Sequence, residues 1–141
     1  MTTAARHIPA RSEQAYSLYG LQFTSLITGA QSGGSISMME LLVPPNAGAH
    51  MHVHINSDEQ FYVLDGDVEF QVAETTIHGT TGDCLHIPRG TMHGFHNGPT
   101  FAKLLVSFTP ADAGVEFEGT GEAVDADPRW TRPESAPTSS S

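Results

Sequence analysis

The stretch "AHMHVHINSDEQFYVLDG", residues 49–66, places histidines at alternate positions and then continues into a strand-like apolar run at residues 61–64. The histidines are His50, His52 and His54. Because successive side chains of a β-strand point to opposite faces, all three project from the same side of a strand. Three imidazoles on one face, next to an apolar hairpin, indicate either a metal site or a solvent-exposed surface.

Short β-type runs continue on both sides of this stretch and are separated by turn signals. Glycine and proline mark most of the breaks, and the turn at Asp65-Gly66 is typical of a β-hairpin. The runs are "LQFTSLITG", "SISMMELLVPP", "DVEFQVAE", "TTIHG", "CLHIP", "MHGFHN" and "FAKLLVSFTP". Short strands at a spacing of roughly 8 to 12 residues, without convincing helical periodicity, predict an all-β protein built as a β-sandwich or barrel.

Length and composition predict one domain. The chain has 141 residues, of which 14 are glycine and 9 are proline. This length is enough to bury a single core, and the glycine and proline content suits a turn-rich β protein. We divide the chain into an irregular N-terminal arm (residues 1–15), the barrel (residues 16–110) and a C-terminal tail (residues 111–141). The tail is acidic at first and then rich in proline and serine, so we expect it to be partly disordered.

The charge balance narrows the choice of partners. The chain carries 16 acidic and 6 basic residues, which gives a formal net charge of −10. We therefore expect no nucleic-acid and no membrane partner, and a cation or a neutral small molecule is favoured. The single cysteine, Cys84, cannot form an internal disulfide, and we interpret it as a packed structural residue. Since no apolar run approaches the ~18 residues of a membrane span, we expect a cytoplasmic protein.

Two segments hold the residues with metal-binding chemistry. In the first, His52 and His54 lie two apart, and Glu59 follows past a short turn. The second segment, "GDCLHIPRGTMHGFHN", contains His93. If the turn after His54 forms a hairpin, Glu59 returns beside the histidine pair, whereas His93 has to arrive from a separate strand. Imidazole and carboxylate donors together suit Fe(II), Mn(II), Ni(II), Cu(II) or Zn(II).

The spacing within both segments resembles the two motifs of the cupin superfamily. The residues at the anchor positions are, in chain order, His52, His54, Glu59, Gly66, Gly82, Pro88, Gly90, His93 and Asn97. One anchor differs, because Asn46 stands six residues before His52, where the family has glycine. The flanking sequence is similar to that of small single-domain bacterial cupins of the quercetin-dioxygenase-like type.

This resemblance implies a fold, a cofactor and an assembly. The fold would be the cupin double-stranded β-helix, a jelly-roll barrel, as a single domain. The cofactor would be one divalent transition metal ion (Fe, Mn, Ni, Cu or Zn), with His52, His54, Glu59 and His93 as its ligands. Cupins of this size usually pair, and outward-facing apolar strand residues such as Tyr62 would suit a homodimer that packs sheet to sheet.

Several residues around these ligands have roles that the sequence leaves open. Glu59 is either a fixed ligand or a catalytic base that leaves the metal and takes a substrate proton. His50 supports a ligand, carries protons at the barrel mouth or lies at a solvent-exposed rim. Phe61, Val63 and Phe95 share strand parity with the ligands, so we expect them to form an apolar cavity wall.

The resemblance implies three functions. The leading hypothesis is a metal-dependent cupin oxygenase of the dioxygenase type, acting on a small enolic, phenolic or flavonol-like molecule. The first alternative is a non-redox metal-dependent polyketide cyclase, isomerase or lyase, which needs the same ligands but no oxygen. The second is a non-catalytic cupin that binds a small molecule. A fold and a ligand set do not dictate a reaction, so the sequence leaves all three open.

Overall fold

Two antiparallel β-sheets form the protein, and the structure, a computed structural model, describes residues 4–115, 117–118 and 121–125. In chain order the elements are β1 (Ala15–Leu18), β2 (Leu21–Ile27), β3 (Ser37–Val43), β4 (Gly48–His52), β5 (Asp58–Asp65), β6 (Asp67–Val72), β7 (Thr75–Thr80), β8 (Cys84–Ile87), β9 (His93–Asn97), β10 (Ala102–Thr109), α1 (Asp112–Val115) and β11 (Glu122–Val124). One sheet has the order β11-β1-β2-β3-β10-β5-β8, and the other has the order β4-β9-β6-β7.

Strand alternation sends one face of each sheet into a shared apolar core. On β10 every second residue is buried, whereas the residues between them are partly exposed. The strand lies in the middle of the larger sheet, where it pairs with β3 and β5. Buried residues of both sheets and one residue of α1, Ala113, form a single cluster: Phe23, Met39, Leu41, Val43, Phe61, Val63, Val68, Phe70, Ile87, Phe95, Ala102, Leu104, Val106, Phe108 and Ala113. This arrangement confirms the predicted all-β, single-domain architecture.

The alternating direction of the side chains along β8 shows that Cys84 is not packed in the core. Residues 85 and 87 of β8 face inward, and Ile87 is fully buried in the core. Cys84 has the opposite parity and is exposed, as is His86. The prediction of a packed structural cysteine is therefore wrong, since the pleat directs this side chain to the outer face of the sheet.

The folded part of the chain extends beyond the boundaries at residues 15 and 110. Ala15 already belongs to β1, and α1 and β11 follow β10. β11 pairs with β1, so this segment of the expected tail adds the outermost strand of the larger sheet. The disorder expected at the end of the chain falls on residues outside the described ranges. Within those ranges no helix is long and apolar enough to span a membrane.

Backbone geometry explains the one anchor position that departs from the motif. Asn46 has a φ of 60°, in the left-handed region that glycine enters without a steric penalty. Asparagine is one of the few other residues that adopt this conformation readily. The Asn46 amide donates to the Gly98 carbonyl (2.8 Å), which ties the turn before β4 to the end of β9. The substitution therefore preserves the turn.

The outer face of the larger sheet exposes some apolar surface. Tyr62 on β5 is 42% exposed, as its parity predicts. Its neighbour in the ladder is Cys84 on β8, which is also exposed. A homodimer through this face stays a prediction.

Candidate metal centre

Four polar side chains meet inside one end of the barrel. His52 is the last residue of β4, His54 lies in the following loop, Glu59 is near the start of β5, and His93 is the first residue of β9. Each offers one donor atom, and the four atoms lie within 4.8 Å of one another. The structure therefore brings together the four residues named as ligands, from three strands and a loop.

A register shift on β4 helps to set the positions of the histidines. Ala49 pairs with Phe95 and His52 pairs with His93, so β4 has one more residue than β9 in this interval. Such a bulge bends the strand and re-aims its side chains. His52 turns toward His93, and their ring centroids are 4.5 Å apart.

Main-chain carbonyls orient two of the imidazoles. His52 Nδ1 donates to the His50 carbonyl (2.6 Å), and His93 Nδ1 donates to the Thr91 carbonyl (2.8 Å). A hydrogen bond of this kind fixes the ring and leaves Nε2 as the nitrogen available to a metal. In both cases the acceptor lies two residues before the histidine.

Glu59 is buried and surrounded by imidazoles. Its Oε1 lies 2.7 Å from His93 Nε2 and 3.4 Å from His54 Nε2. Burial alone would raise the pKa of Glu59, but the adjacent His54 and His93 rings outweigh burial and hold the pKa below its usual value. Glu59 is thus a carboxylate at neutral pH, which is the form that binds metals and accepts protons.

The histidine pKa values shift in opposite directions. For His93, burial alone would lower the pKa, but the hydrogen bonds to Glu59 and to the Thr91 carbonyl outweigh burial and raise it. For His52, burial lowers the pKa, and the hydrogen bond to the His50 carbonyl offsets only part of that effect. A metal at His93 Nε2 would have to displace a proton, so metal binding at this site is coupled to proton release.

The donor set fits a divalent transition metal. His54 Nε2 is buried and makes no hydrogen bond within the described residues, because its contact with Glu59 Oε1 is long (3.4 Å), although buried polar nitrogens are nearly always paired. Its position beside Glu59 and His93 gives it a partner if a cation lies between them. Three imidazole nitrogens and one carboxylate oxygen suit Fe, Mn, Ni, Cu or Zn, and they leave further coordination positions open.

Comparison with known proteins identifies the family to which this architecture corresponds. Residues 39–108 match the family described as the cupin domain, and this span contains all four donor residues. The chain carries a domain of the cupin superfamily. No curated protein sequence matches it.

Solved cupin structures resemble the chain along most of its length. KdgF from Halomonas sp. has 19% sequence identity and a TM-score of 0.67, and the match covers 77% of this chain and 94% of that one. The polyketide cyclase RemF from Streptomyces resistomycificus has 20% identity and a TM-score of 0.68, with 88% of each chain covered. A predicted oxalate decarboxylase from Thermotoga maritima has 17% identity and a TM-score of 0.69, covering 74% of this chain and 99% of that one. At these identities the similarity shows the fold alone.

A cavity of about 730 Å³ opens beside the four donor residues of this cupin domain. His52, His54 and Glu59 line it, and no lysine or arginine of the described residues does. Its walls are mainly apolar, and five phenylalanines contribute to them: Phe23, Phe61, Phe95, Phe108 and Phe117. The cavity is thus a large aromatic-walled space whose polar lining includes imidazoles and the carboxylates of Glu59 and Asp112.

The expected cavity wall is correct for two residues of three. Phe61 and Phe95 line the cavity, but Val63 does not; it is 1% exposed in the apolar core. Val63 shares the inner face of β5, but the cavity ends at Phe61, whose ring packs against Phe70 with centroids 5.1 Å apart. Parity identifies the inner face of a strand, and it does not say how deep the cavity reaches.

His50 contributes to the candidate metal centre through its main-chain carbonyl and through its position at the cavity. Its side chain is exposed and lines the cavity, which places it at the rim. Its carbonyl orients His52. Neither this main-chain role nor the matching role of Thr91 is predicted from the sequence. The shared spacing, two residues before a histidine, is the only signal that would have identified them.

Proposed function

We propose that this cupin domain is a metal-dependent oxygenase of the dioxygenase type that binds a planar enolic, phenolic or flavonol-like molecule. The observation that carries the proposal is the cluster of Glu59 with three histidines, of which Glu59, His52 and His54 line a large aromatic-walled cavity. The resemblance of the sequence around His52 and Glu59 to quercetin-dioxygenase-like cupins supports the same reaction class.

The cavity favours a neutral, flat and largely apolar substrate. Its volume of about 730 Å³ lies within the roughly 300–1,000 Å³ of typical small-molecule sites. Aromatic walls pack well against planar rings. A small dicarboxylate would leave most of this space unfilled, and no lysine or arginine among the described lining residues would pair with a carboxylate that the metal ion does not bind. The acidic character of the whole chain disfavours anionic substrates further.

The chain's own residues account for binding, orientation and proton transfer. His52, His54, Glu59 and His93 would hold the metal ion, which when bound supplies Lewis acidity toward a substrate oxygen and, if redox-active, reactivity toward dioxygen. Glu59 would accept the proton of the enol or phenol, since its carboxylate is ionised and lines the cavity. The phenylalanine walls would hold the ring plane and exclude water from the reacting oxygen.

A second candidate is a metal-dependent polyketide cyclase. The match to the polyketide cyclase RemF covers 88% of both chains, so nearly the whole architecture is shared. The cyclase would use the same cavity and the same base, but it would consume no oxygen.

Oxygen consumption by the metal-loaded protein tests the proposal. Enols, phenols and flavonols are supplied in air and under nitrogen, and the parent is compared with Glu59→Gln. We expect turnover only in air, and a loss of about 10²–10⁴-fold in Glu59→Gln, because a positioned base contributes that much. Glu69→Gln, the same change on an exposed residue of β6, is the control and should keep full activity.

Each other outcome has a defined meaning. Equal product formation under nitrogen would replace the oxygenase with the cyclase. Tight binding of these molecules without turnover would indicate a non-catalytic binding protein. Full activity in Glu59→Gln would remove the proposed base.

A further inference from the structure

We propose that Arg89 and Asp58 act as a positioning pair for the candidate metal centre. Arg89 belongs to a tight turn between β8 and β9, residues 88–91, which we call the 88–91 turn, and Asp58 is the first residue of β5. This inference rests on the metal-binding part of the proposed function, and it assigns a role to residues that lie outside the cavity.

Arg89 connects the turn to the start of β5. Its main-chain amide and its Nε both donate to Asp58 Oδ1, at 2.9 and 3.0 Å. Its Nη2 donates to the Thr109 carbonyl on β10 at 3.4 Å. Asp58 is the first residue of β5 and immediately precedes Glu59, so this contact holds the backbone from which the carboxylate ligand projects.

The same turn holds two further donor residues. The Gly90 amide donates to the His54 carbonyl at 2.8 Å. The Thr91 carbonyl accepts the hydrogen bond from His93 Nδ1. Gly90 has a φ of +84°, a conformation that favours glycine, so the turn depends on this residue type. Contacts of the 88–91 turn therefore reach the segments that carry His54, Glu59 and His93.

The sheet register explains why a side-chain contact is needed at this point. The ladder between β5 and β8 ends at the pair Glu59 and Ile87. Beyond it, Asp58 pairs only with Thr109 of β10. Arg89 lies two residues past Ile87, and its side chain crosses from the end of β8 over Asp58 to Thr109. It thus joins three neighbouring strands where the main-chain ladder on one side has stopped.

The exposure of the Arg89–Asp58 ion pair distinguishes a role in positioning the metal ligands from a role in stabilising the whole fold. The side chains of Arg89 and Asp58 are 49% and 28% exposed, and exposed ion pairs contribute little to global stability. Residues that orient metal ligands from outside the coordination sphere have larger effects on the metal, typically about 10–100-fold in affinity. We therefore expect loss of the pair to weaken metal binding much more than it lowers the melting temperature of the metal-free protein.

Titration with Zn²⁺ and Co²⁺ tests the pair in the full-length protein. Asp58→Ala and Arg89→Ala should each raise the Zn²⁺ dissociation constant by about 10-fold or more. They should also change the visible absorption bands of bound Co²⁺, which report ligand geometry. Arg89→Lys keeps the charge and the main-chain amide but loses the guanidinium fork, so it should show the same shift in part.

Asp67→Ala is the matched control. Asp67 also begins a strand, β6, and it forms an exposed contact with His78 at 3.6 Å, far from the turn. We expect its Zn²⁺ affinity and Co²⁺ spectrum to equal those of the parent. Equal weakening in this control, or unchanged affinity and spectrum in all three pair variants, would overturn the inference and leave the metal centre intact. A parent that binds no metal would overturn both.

Discussion

The barrel has an open half and a closed half, and the same strands run through both. The open half contains the donor residues and the cavity, with Glu59 and Phe61 on β5 and Phe95 on β9. The closed half is the packed end of the core, where Val63 on β5 and Asn97 on β9 are almost inaccessible to solvent. A step of two residues along a strand is therefore enough to pass from a cavity wall to close packing.

Polar groups serve different purposes in the two halves. In the closed half, Asn97 Nδ2 donates to the carbonyls of Val43, Pro44 and Thr100, which fastens the loops around β9. Asn97 Oδ1 and, in the open half, His54 Nε2 are both buried without a hydrogen-bond partner among the described residues, but only His54 Nε2 lies among other metal donors. The closed half therefore uses its polar residue for the fold, and the open half keeps its donors for a ligand. Substitutions in the two halves should have separable effects.

His93→Ala should have the largest effect on the open half. We expect loss of nearly all bound metal, beyond the roughly 10–100-fold that loss of an orienting partner costs. The rise in melting temperature on adding metal should disappear with it, because a ligand stabilises only a native state that binds it. The variant should stay folded, since the closed half is unchanged. Metal analysis and thermal melting measure both effects.

His96→Ala is the control for this prediction. His96 lies on the same strand but is exposed. It should keep the metal content of the parent. Full metal occupancy in His93→Ala would mean that the two halves do not divide function and stability in this way.

Leu104→Ala should have the largest effect on the closed half. Leu104 is 0% exposed in the middle of β10. Its truncation leaves a cavity, and we expect the free energy of unfolding to fall by about 2–5 kcal/mol in urea denaturation. The metal content per folded chain should not change. Leu105→Ala, one residue along and only partly buried, should cost less. Loss of metal from folded Leu104→Ala would show that the closed half also shapes the site.

Asn97→Ala should have a smaller effect on the same half. It removes the donor shared by the carbonyls of Val43, Pro44 and Thr100. Losing these hydrogen bonds, of which the one to the Val43 carbonyl is buried, costs about 1–3 kcal/mol, so the urea midpoint should fall while metal binding persists. An unchanged midpoint would mean that water replaces the amide and that this residue does not fasten the loops.

The sequence predicted the open half well because its chemistry lies in motif spacing. His52, His54, Glu59 and His93 come together as proposed for ligands. Parity placed Phe61 and Phe95 on the cavity wall. It failed at Val63, because alternation specifies a face of the strand and the depth of the cavity depends on how Phe61 and Phe70 pack.

Other features depend on contacts that no local pattern encodes. β11 is only three residues long, and it pairs with β1 from the opposite end of the chain. Its acidic surroundings in the sequence are typical of a solvated tail, so nothing local predicts the strand. The hydrogen bonds of the 88–91 turn to Asp58 and His54 join residues more than thirty positions apart by way of the tertiary fold, which is visible only in the structure.

Anomalous X-ray diffraction from crystals grown with Zn²⁺, recorded on both sides of the zinc absorption edge, tests the four-residue metal centre most directly. We expect one strong anomalous peak per chain, bonded to His52, His54 and His93 nitrogens at about 2.0–2.1 Å and to a Glu59 oxygen at about 2.0–2.2 Å. A peak that contacts fewer than two of these histidines, or no peak in this half of the barrel, would contradict the claim that these four residues form one metal centre.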